Sequence, residues 1–456
     1  MKIRCLYNQI AAMFRVLSTL ILLCCAEPVL AQPVPSPARG EDAERLLSAV
    51  VSERRVREIT EKIAATGDRA PGSRSAESAL DWCANWLKGV GLASDRVVEP
   101  ATDTWAVRAF RCAVKADPEE VLTSARPVHG SPGLPSCVLP VVVDNRDVAV
   151  EGKAVVLVRG RSSVAPSRLS GLAQRGARLV LCGWDDAAVP ADAAPLWEPT
   201  APLPLPVMAM GAASTRAVLA AGEDVRLVVE LVVARARGVV RSLTARVPGR
   251  EGGHCVVVWA RLPAFGGGPG ASEAAAVATV LSMARSLHLS TKGDVRPLPF
   301  DVVFAVLGDA ETSLGRLVAG LTDLRGVMEI ASVGGGAHSR VYAGLNSTPS
   351  TSQPTLATVA SAALGSHAGE RGFWKGWRPW PQPAGVLPLP NGARVRLSTT
   401  PLFHVDPKRS SLDADVCAVA HTSADDVERA APAADAVLCA RAGLVMLARL
   451  GGELAR

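Results

Sequence analysis

Apolar residues recur along this chain in two rhythms, one of helices and one of buried strands. Residues 41 to 66 show helical periodicity, which ends at a turn, Asp68-Arg69-Ala70-Pro71-Gly72-Ser73. Within Ser75 to Gly91, Ala79, Trp82, Cys83, Trp86, Leu87 and Val90 fall three and four apart and share one helix face, closed by Gly89 and Gly91. This tryptophan stripe reads as core. Short β-branched runs at 138–143 and 153–158 predict buried strands. A helix between Ser167 and Gly176 and a strand from Ala177 to Cys182 then make a βαβ-like unit. After the Pro-rich stretch Leu203-Pro204-Leu205-Pro206 and the run Val207-Met208-Ala209-Met210, the pattern predicts a helix at 213–221 and a strand at 225–233.

A new register begins at Val239. It runs through a strand at 240–247, a turn at Pro248-Gly249, a strongly apolar strand from Cys255 to Ala260, a Gly-rich loop at 266–271 and a helix from Ser272 to Leu287. A strand at 301–307 and a helix near 311–320 follow. This order is that of a largely parallel sheet covered by helices on both faces.

The N-terminus reads as an export signal. Lys2, Arg4 and Arg15 supply positive charge, Val16 to Cys25 an apolar core, and Val29-Leu30-Ala31 a cleavage site, so residues 1–31 are expected to be removed and the protein secreted or periplasmic. No later segment offers about twenty uninterrupted apolar residues, so no transmembrane helix is expected after cleavage. The Pro-rich residues 32–40 form a linker. The net charge of +6 is scattered, without basic runs or aromatic-basic alternation, and gives no case for nucleic acid. Seven cysteines lie beyond the signal (Cys83, Cys112, Cys137, Cys182, Cys255, Cys417, Cys439), without a C-x-x-C pair. An odd number leaves a free thiol or an intermolecular link.

Several segments, taken in order, resemble the zinc exopeptidase family of aminopeptidase Y, secreted bacterial leucine aminopeptidase and glutamate carboxypeptidase. The turn at 68–73 before a helix ending Gly89-Val90-Gly91-Leu92 is similar to the family's R-x-x-G-S turn and N-terminal helix. Val150 to Gly160, with Gly176 to Leu181 after it, resembles a protease-associated domain. Arg241 to Gly249 resembles the strand that re-enters the catalytic domain. The resemblance implies a three-layer α/β sandwich with a largely parallel mixed sheet, built from residues 32–119 and 237–456 and interrupted by a protease-associated insertion at 120–236.

The resemblance also implies a pair of zinc ions held by two histidines and three carboxylates, with a glutamate as general base. Here the sequence departs from the pattern. Arg261-Leu262-Pro263 stands where the family has His-x-Asp, and a guanidinium repels a metal. Glu273 takes the place of the bridging aspartate. In Leu307-Gly308-Asp309-Ala310-Glu311, Ala310 stands at the general base and Glu311 at a ligand, with Asp309 adjacent. Ala331 replaces another aspartate, and His421 keeps the last histidine. Glu273, Glu311 and His421 suffice in number for one zinc. Alternatively Glu311 and His421 are relics paired with Arg261, because carboxylates gathered around a dication need a replacement cation once it is gone.

No G-x-S-x-G elbow supports a serine nucleophile. Trp374, Trp377 and Trp380, beside Lys375 and Arg378 in a Pro/Gly-rich loop, suit either contact with a partner or sugar, or packing over the cleft. The reading is therefore an exported non-catalytic homologue that needs no cofactor and binds a peptide, protein or glycan. The alternative is an active zinc exopeptidase with an altered site, releasing N-terminal amino acids.

Overall fold

The computed structural model describes residues 50–454 apart from 68, 100–101, 117, 145–147, 160–163, 185–202, 223, 265–269, 293–296, 322, 332, 335–340, 346–354, 361–372, 380–393 and 400–432. The expected leader and linker lie outside these residues, as does Cys417. The other six cysteines beyond the signal are free thiols. Among the described residues, no helix is long and apolar enough to cross a membrane.

Two eight-stranded sheets form the framework. The first has the order β1-β10-β12-β11-β13-β16-β14-β15, with β1 Ser94–Val98, β10 Arg241–Val247, β11 Cys255–Arg261, β12 Asp301–Leu307, β13 Leu324–Ile330, β14 Val341–Leu345, β15 Phe373–Pro379 and β16 Arg394–Ser398. Strands β12, β11, β13 and β16 run parallel, with antiparallel pairs flanking them. The architecture is therefore the mixed α/β class expected. Strand alternation sends Val256, Val258 and Ala260 of β11 into one core and Val257 and Trp259 into another on the opposite face.

Helices fill the first face: α1 Glu53–Ala64, α2 Arg74–Gly89, α5 Ala271–Ser290 and α7 Ala433–Leu454. Seventeen of the twenty residues of α5 are buried, which suits a helix enclosed on all sides. On α2, Ala79, Leu80, Cys83 and Leu87 are buried, and Trp82 and Trp86 pack partly against the same core. The Ser73 hydroxyl caps α2 by accepting from the Ala76 N–H at 3.1 Å, a bond worth about 1 kcal/mol. Helix α6 Ala310–Ala319 covers part of the second face through Leu314, Leu317 and Val318.

The second sheet has the order β3-β2-β9-β5-β6-β7-β8-β4, with β2 Thr102–Val114, β3 Glu120–Val121, β4 Ala125–Pro127, β5 Leu134–Val143, β6 Ala154–Arg159, β7 Leu179–Trp184, β8 Val207–Met210 and β9 Arg226–Gly238. Helices α3 Pro166–Gln174 and α4 Ala212–Ala220 belong to this segment. Its cores are separate from those of the first sheet. Strand β2 precedes residue 120, where the sequence places the start of an insertion.

Within this segment, Trp105 and His129 meet edge to face at 4.9 Å, and the indole Nε1 donates to the Ser131 carbonyl at 2.7 Å. Burial holds the His129 imidazole down at about 4, against an ordinary 6.5. The folded protein therefore resists a proton that the unfolded polypeptide accepts. Stability from this group is full above about pH 6.5 and drains away toward pH 4, by about 3 kcal/mol. Urea denaturation across that range should show the loss, and His129→Leu should flatten it. An unchanged slope in the variant would assign the acid sensitivity elsewhere.

Candidate functional site

Because β12, β11, β13 and β16 are parallel, their C-terminal ends finish along one edge of the first sheet, where open α/β sheets bind ligands. Leu307, Arg261, Ile330 and Ser398 end these strands. After β11 the backbone turns through Leu262 and Ala264 into α5. Its N-cap, Gly270, sits at φ 53°, and a Cβ there would collide with the Ala264 methyl and crowd Arg69 Nη2. Both the backbone angle and the space require glycine.

Arg69 secures this turn. It is fully buried, and its guanidinium donates to four carbonyls: Nε to Leu262 at 3.1 Å, Nη1 to Ile63 at 3.2 Å and to Gly67 at 3.0 Å, and Nη2 to Gly270 at 2.8 Å. The R-x-x-G-S turn read from the sequence thus works as a clamp between α1 and the start of α5.

The clamp places Glu273 in the first turn of α5, 5% exposed. Ser272 Oγ donates to its Oε2 at 3.0 Å. Arg261 Nη2 lies 3.7 Å from its Oε1. The guanidinium at the end of β11 therefore points at the carboxylate that the resemblance assigns to a bridge between metals.

A second network shapes the end of β12. Buried Glu99 accepts from Ser242 Oγ at 2.9 Å and from Arg316 Nη1 at 3.0 Å, while the Gly308 N–H donates to Ser242 Oγ at 3.1 Å. Asp309 then stands at the N-cap position of α6, and the backbones of Ala310 and Glu311 form its first turn. Their side groups, and all of His421, lie outside the described residues. Ala331 follows β13, and its N–H donates to the Leu397 carbonyl at 3.0 Å. Trp374 and Trp377 belong by backbone to β15, whose side groups lie outside the description, and Trp380 lies outside it altogether.

The sequence reading missed a third cluster. Glu329 on β13, 2% exposed, accepts from Arg394 Nη2 at 3.3 Å and from Arg396 Nη2 at 2.5 Å. Burial lowers the Arg396 pKa, and Glu329 partly offsets this. The signal was present as a lone glutamate in the apolar run Val327 to Ile330 and as Arg-Val-Arg alternation at 394–396.

No protein-family model matches the sequence, and no curated protein matches it. Solved structures do. A peptidase M28 precursor from Shewanella amazonensis SB2B is 16% identical, covers 90% of this chain and 96% of its own, and superposes with a TM-score of 0.65. BSAP, a zinc aminopeptidase from Bacillus subtilis, gives 14% identity, 86% and 94% coverage and a TM-score of 0.59. An aminopeptidase from Aneurinibacillus sp. strain AM-1 gives 14%, 88% and 95%, and 0.56.

The chain has the fold of the zinc aminopeptidases.

At these identities the likeness shows the fold alone, so the chemistry must be argued from the residues. Zinc takes nitrogen, oxygen or sulfur donors. The described positions that the resemblance assigns to ligands carry a guanidinium at 261, which cannot ligate, an alanine at 331, and one carboxylate, Glu273, paired with that guanidinium. Among the described residues, no three His, Cys, Asp or Glu side groups gather as metal donors. These residues do not fit a pair of zinc ions.

Proposed function

We propose that this protein is an exported, non-catalytic homologue of the zinc aminopeptidases that binds a peptide, protein or glycan in the cleft at the C-terminal ends of β11, β12, β13 and β16. One observation carries the reading: Arg261 Nη2 lies 3.7 Å from Glu273 Oε1, so a fixed positive charge stands beside the carboxylate where a metal would be needed. A guanidinium keeps its proton at any pH the protein meets and is no ligand. Ala310 adds a second loss, because a methyl group cannot take a proton from water, and a general base is commonly worth about a hundred- to ten-thousandfold in rate.

In this reading the second sheet is a protease-associated insertion. Together with the tryptophans of the 374–380 segment, it enlarges the surface available to a partner. Zinc belongs to the protein only if the alternative, an altered but working exopeptidase using Glu273, Glu311 and His421, is correct.

Elemental analysis after saturation with zinc and dialysis separates the two. The expected result is less than one zinc per polypeptide and no release of amino acids from N-terminal substrates. At least one zinc per polypeptide, lost in His421→Ala and accompanied by peptide turnover, would replace this reading with the metalloexopeptidase.

A further inference from the structure

The second sheet is covered fully on one face and partly on the other. Its inner face is core, with Cys112 and Val114 of β2, Leu139 of β5 and Leu227, Val229 and Leu231 of β9. On the opposite face, α3 packs Leu169 and Leu172 over β6, β7 and β8 and reaches β5 at Val142. Among the described residues, no helix shares a hydrophobic core with the rest of that face, which β3, β2, β9 and the middle of β5 supply. There Val121 is 58%, Val138 43% and Val232 41% exposed. An apolar sheet face calls for a second layer, and a bare stretch of one marks a contact surface.

Strand pairing lays this area out in rows. Val121 pairs with Ala113, Ala113 with Val228, and Val228 with Val138, which makes one row across four strands. Two further rows on β2 and β9 pair Arg111 with Glu230 and Ala109 with Val232. The rows are complementary about the seam between β2 and β9. Two copies packed face to face around a two-fold axis along that seam set Val121 on the second copy's Val138, Ala113 on its Val228, Ala109 on its Val232 and Arg111 on its Glu230. Valine meets valine, small meets large and positive meets negative, as an isologous contact requires. A partner of a single charge would instead be repelled by one member of the Arg111 and Glu230 pair. Arg111 also reaches Glu119 of its own chain, but it is 55% exposed and its guanidinium has donors for a second carboxylate.

We propose that this chain forms a homodimer by packing the bare faces of β3, β2, β9 and β5 against each other. Four strands about 4.8 Å apart and three rows about 7 Å apart cover roughly 20 by 20 Å, or about 400 Å² on each copy. Standard interfaces bury about 800 Å² per partner, so the dimer is expected to be weak and reversible. It uses none of the cleft residues and stands or falls independently of the binding role proposed above.

Sedimentation velocity of the intact protein between about 1 and 200 μM tests it. The expected result is a mass that rises with concentration toward that of two chains. Val232→Asp, at an exposed position outside the inner core, should raise the dissociation constant at least about tenfold while unfolding stays cooperative. Two double variants supply an independent check, one with Val121→Lys and Val138→Lys, the other with Val121→Glu and Val138→Glu. Each should stay monomeric alone, and the two should associate when mixed in equal amounts, because the axis sets position 121 of one copy on position 138 of the other. A protein that is still monomeric at about 200 μM would overturn the proposal. So would a dimer that Val232→Asp leaves intact, or a mixture of the two charged variants that fails to associate.

Discussion

Arg69→Ala is expected to cost about 4 kcal/mol or more of unfolding free energy, enough to consume much of the stability of an ordinary domain. Four carbonyls lose their donor at once, those of Ile63, Gly67, Leu262 and Gly270, in a place that water reaches poorly. The damage is not only energetic. Gly270 begins α5, and Glu273 follows three residues on, so the cleft carboxylate loses its support as well. Arg69→Lys keeps the charge but offers a single ammonium to acceptors arranged for a planar fork, and should recover only part of the loss. Denaturant unfolding with unchanged m-value is the measurement. A cost below about 1 kcal/mol in the alanine variant would show that the carbonyls find other donors.

Glu329→Ala should be comparably severe, at about 3–5 kcal/mol, because it strands Arg394 and Arg396 in the interior without the carboxylate that both touch. The Coulombic attraction of the native pair does not set this figure. It is the desolvation of two guanidiniums that have lost their counter-ion. Glu329→Gln retains an acceptor oxygen and should fall between wild type and alanine. The surface pair Arg54 and Glu58, 3.0 Å apart on α1 and largely exposed, supplies the control, since breaking it should cost under about 1 kcal/mol. Equal costs at the two places would mean that the Glu329 cluster is solvated in solution.

Much of the fold was legible in the sequence, for definite reasons. Runs such as VVVWA in β11 and VVFAVL in β12 are buried on both faces, so they need no partner to be recognised as strands. The helix at 74–89, read as lying within 75–91, announced itself through the three- and four-residue spacing of its apolar face. By contrast, β2 was missed. Its residues alternate less cleanly, with Arg108 and Arg111 among apolar neighbours, and it is stabilised by pairing with β9 more than a hundred residues away. Helix α7 was missed because Ala-Leu-Val runs such as Leu444 to Leu447 lack the polar face that marks a helix from its period.

The candidate site was read from the sequence as positions that a resemblance assigns, not as a set of contacts. The resemblance sets Arg261 among ligand positions and the sequence reading paired it with Glu311 and His421, whereas its aim at Glu273 depends on the turn that Gly270 and Arg69 hold. The Glu329 cluster was missed for a related reason. Its partners Glu329 and Arg394 lie 65 residues apart, so neither the lone glutamate in an apolar run nor the Arg-Val-Arg alternation points to the other.

The two sheets meet at a neck whose consequence is kinetic. Val98 pairs with Arg241 at the end of β1, and Thr102 pairs with Gly238 at the start of β2, so the same two stretches of backbone leave one sheet and enter the other side by side. Bringing Ser94 to Ala245 through an unstructured loop of that length would be entropically slow. Once β2 and β9 have zipped together, the ends are already adjacent and the loop to be closed is short. The middle of the sequence would then fold first and act as the staple that lets its flanks find each other, so a lesion deep in the second sheet should delay assembly of a cleft it never touches.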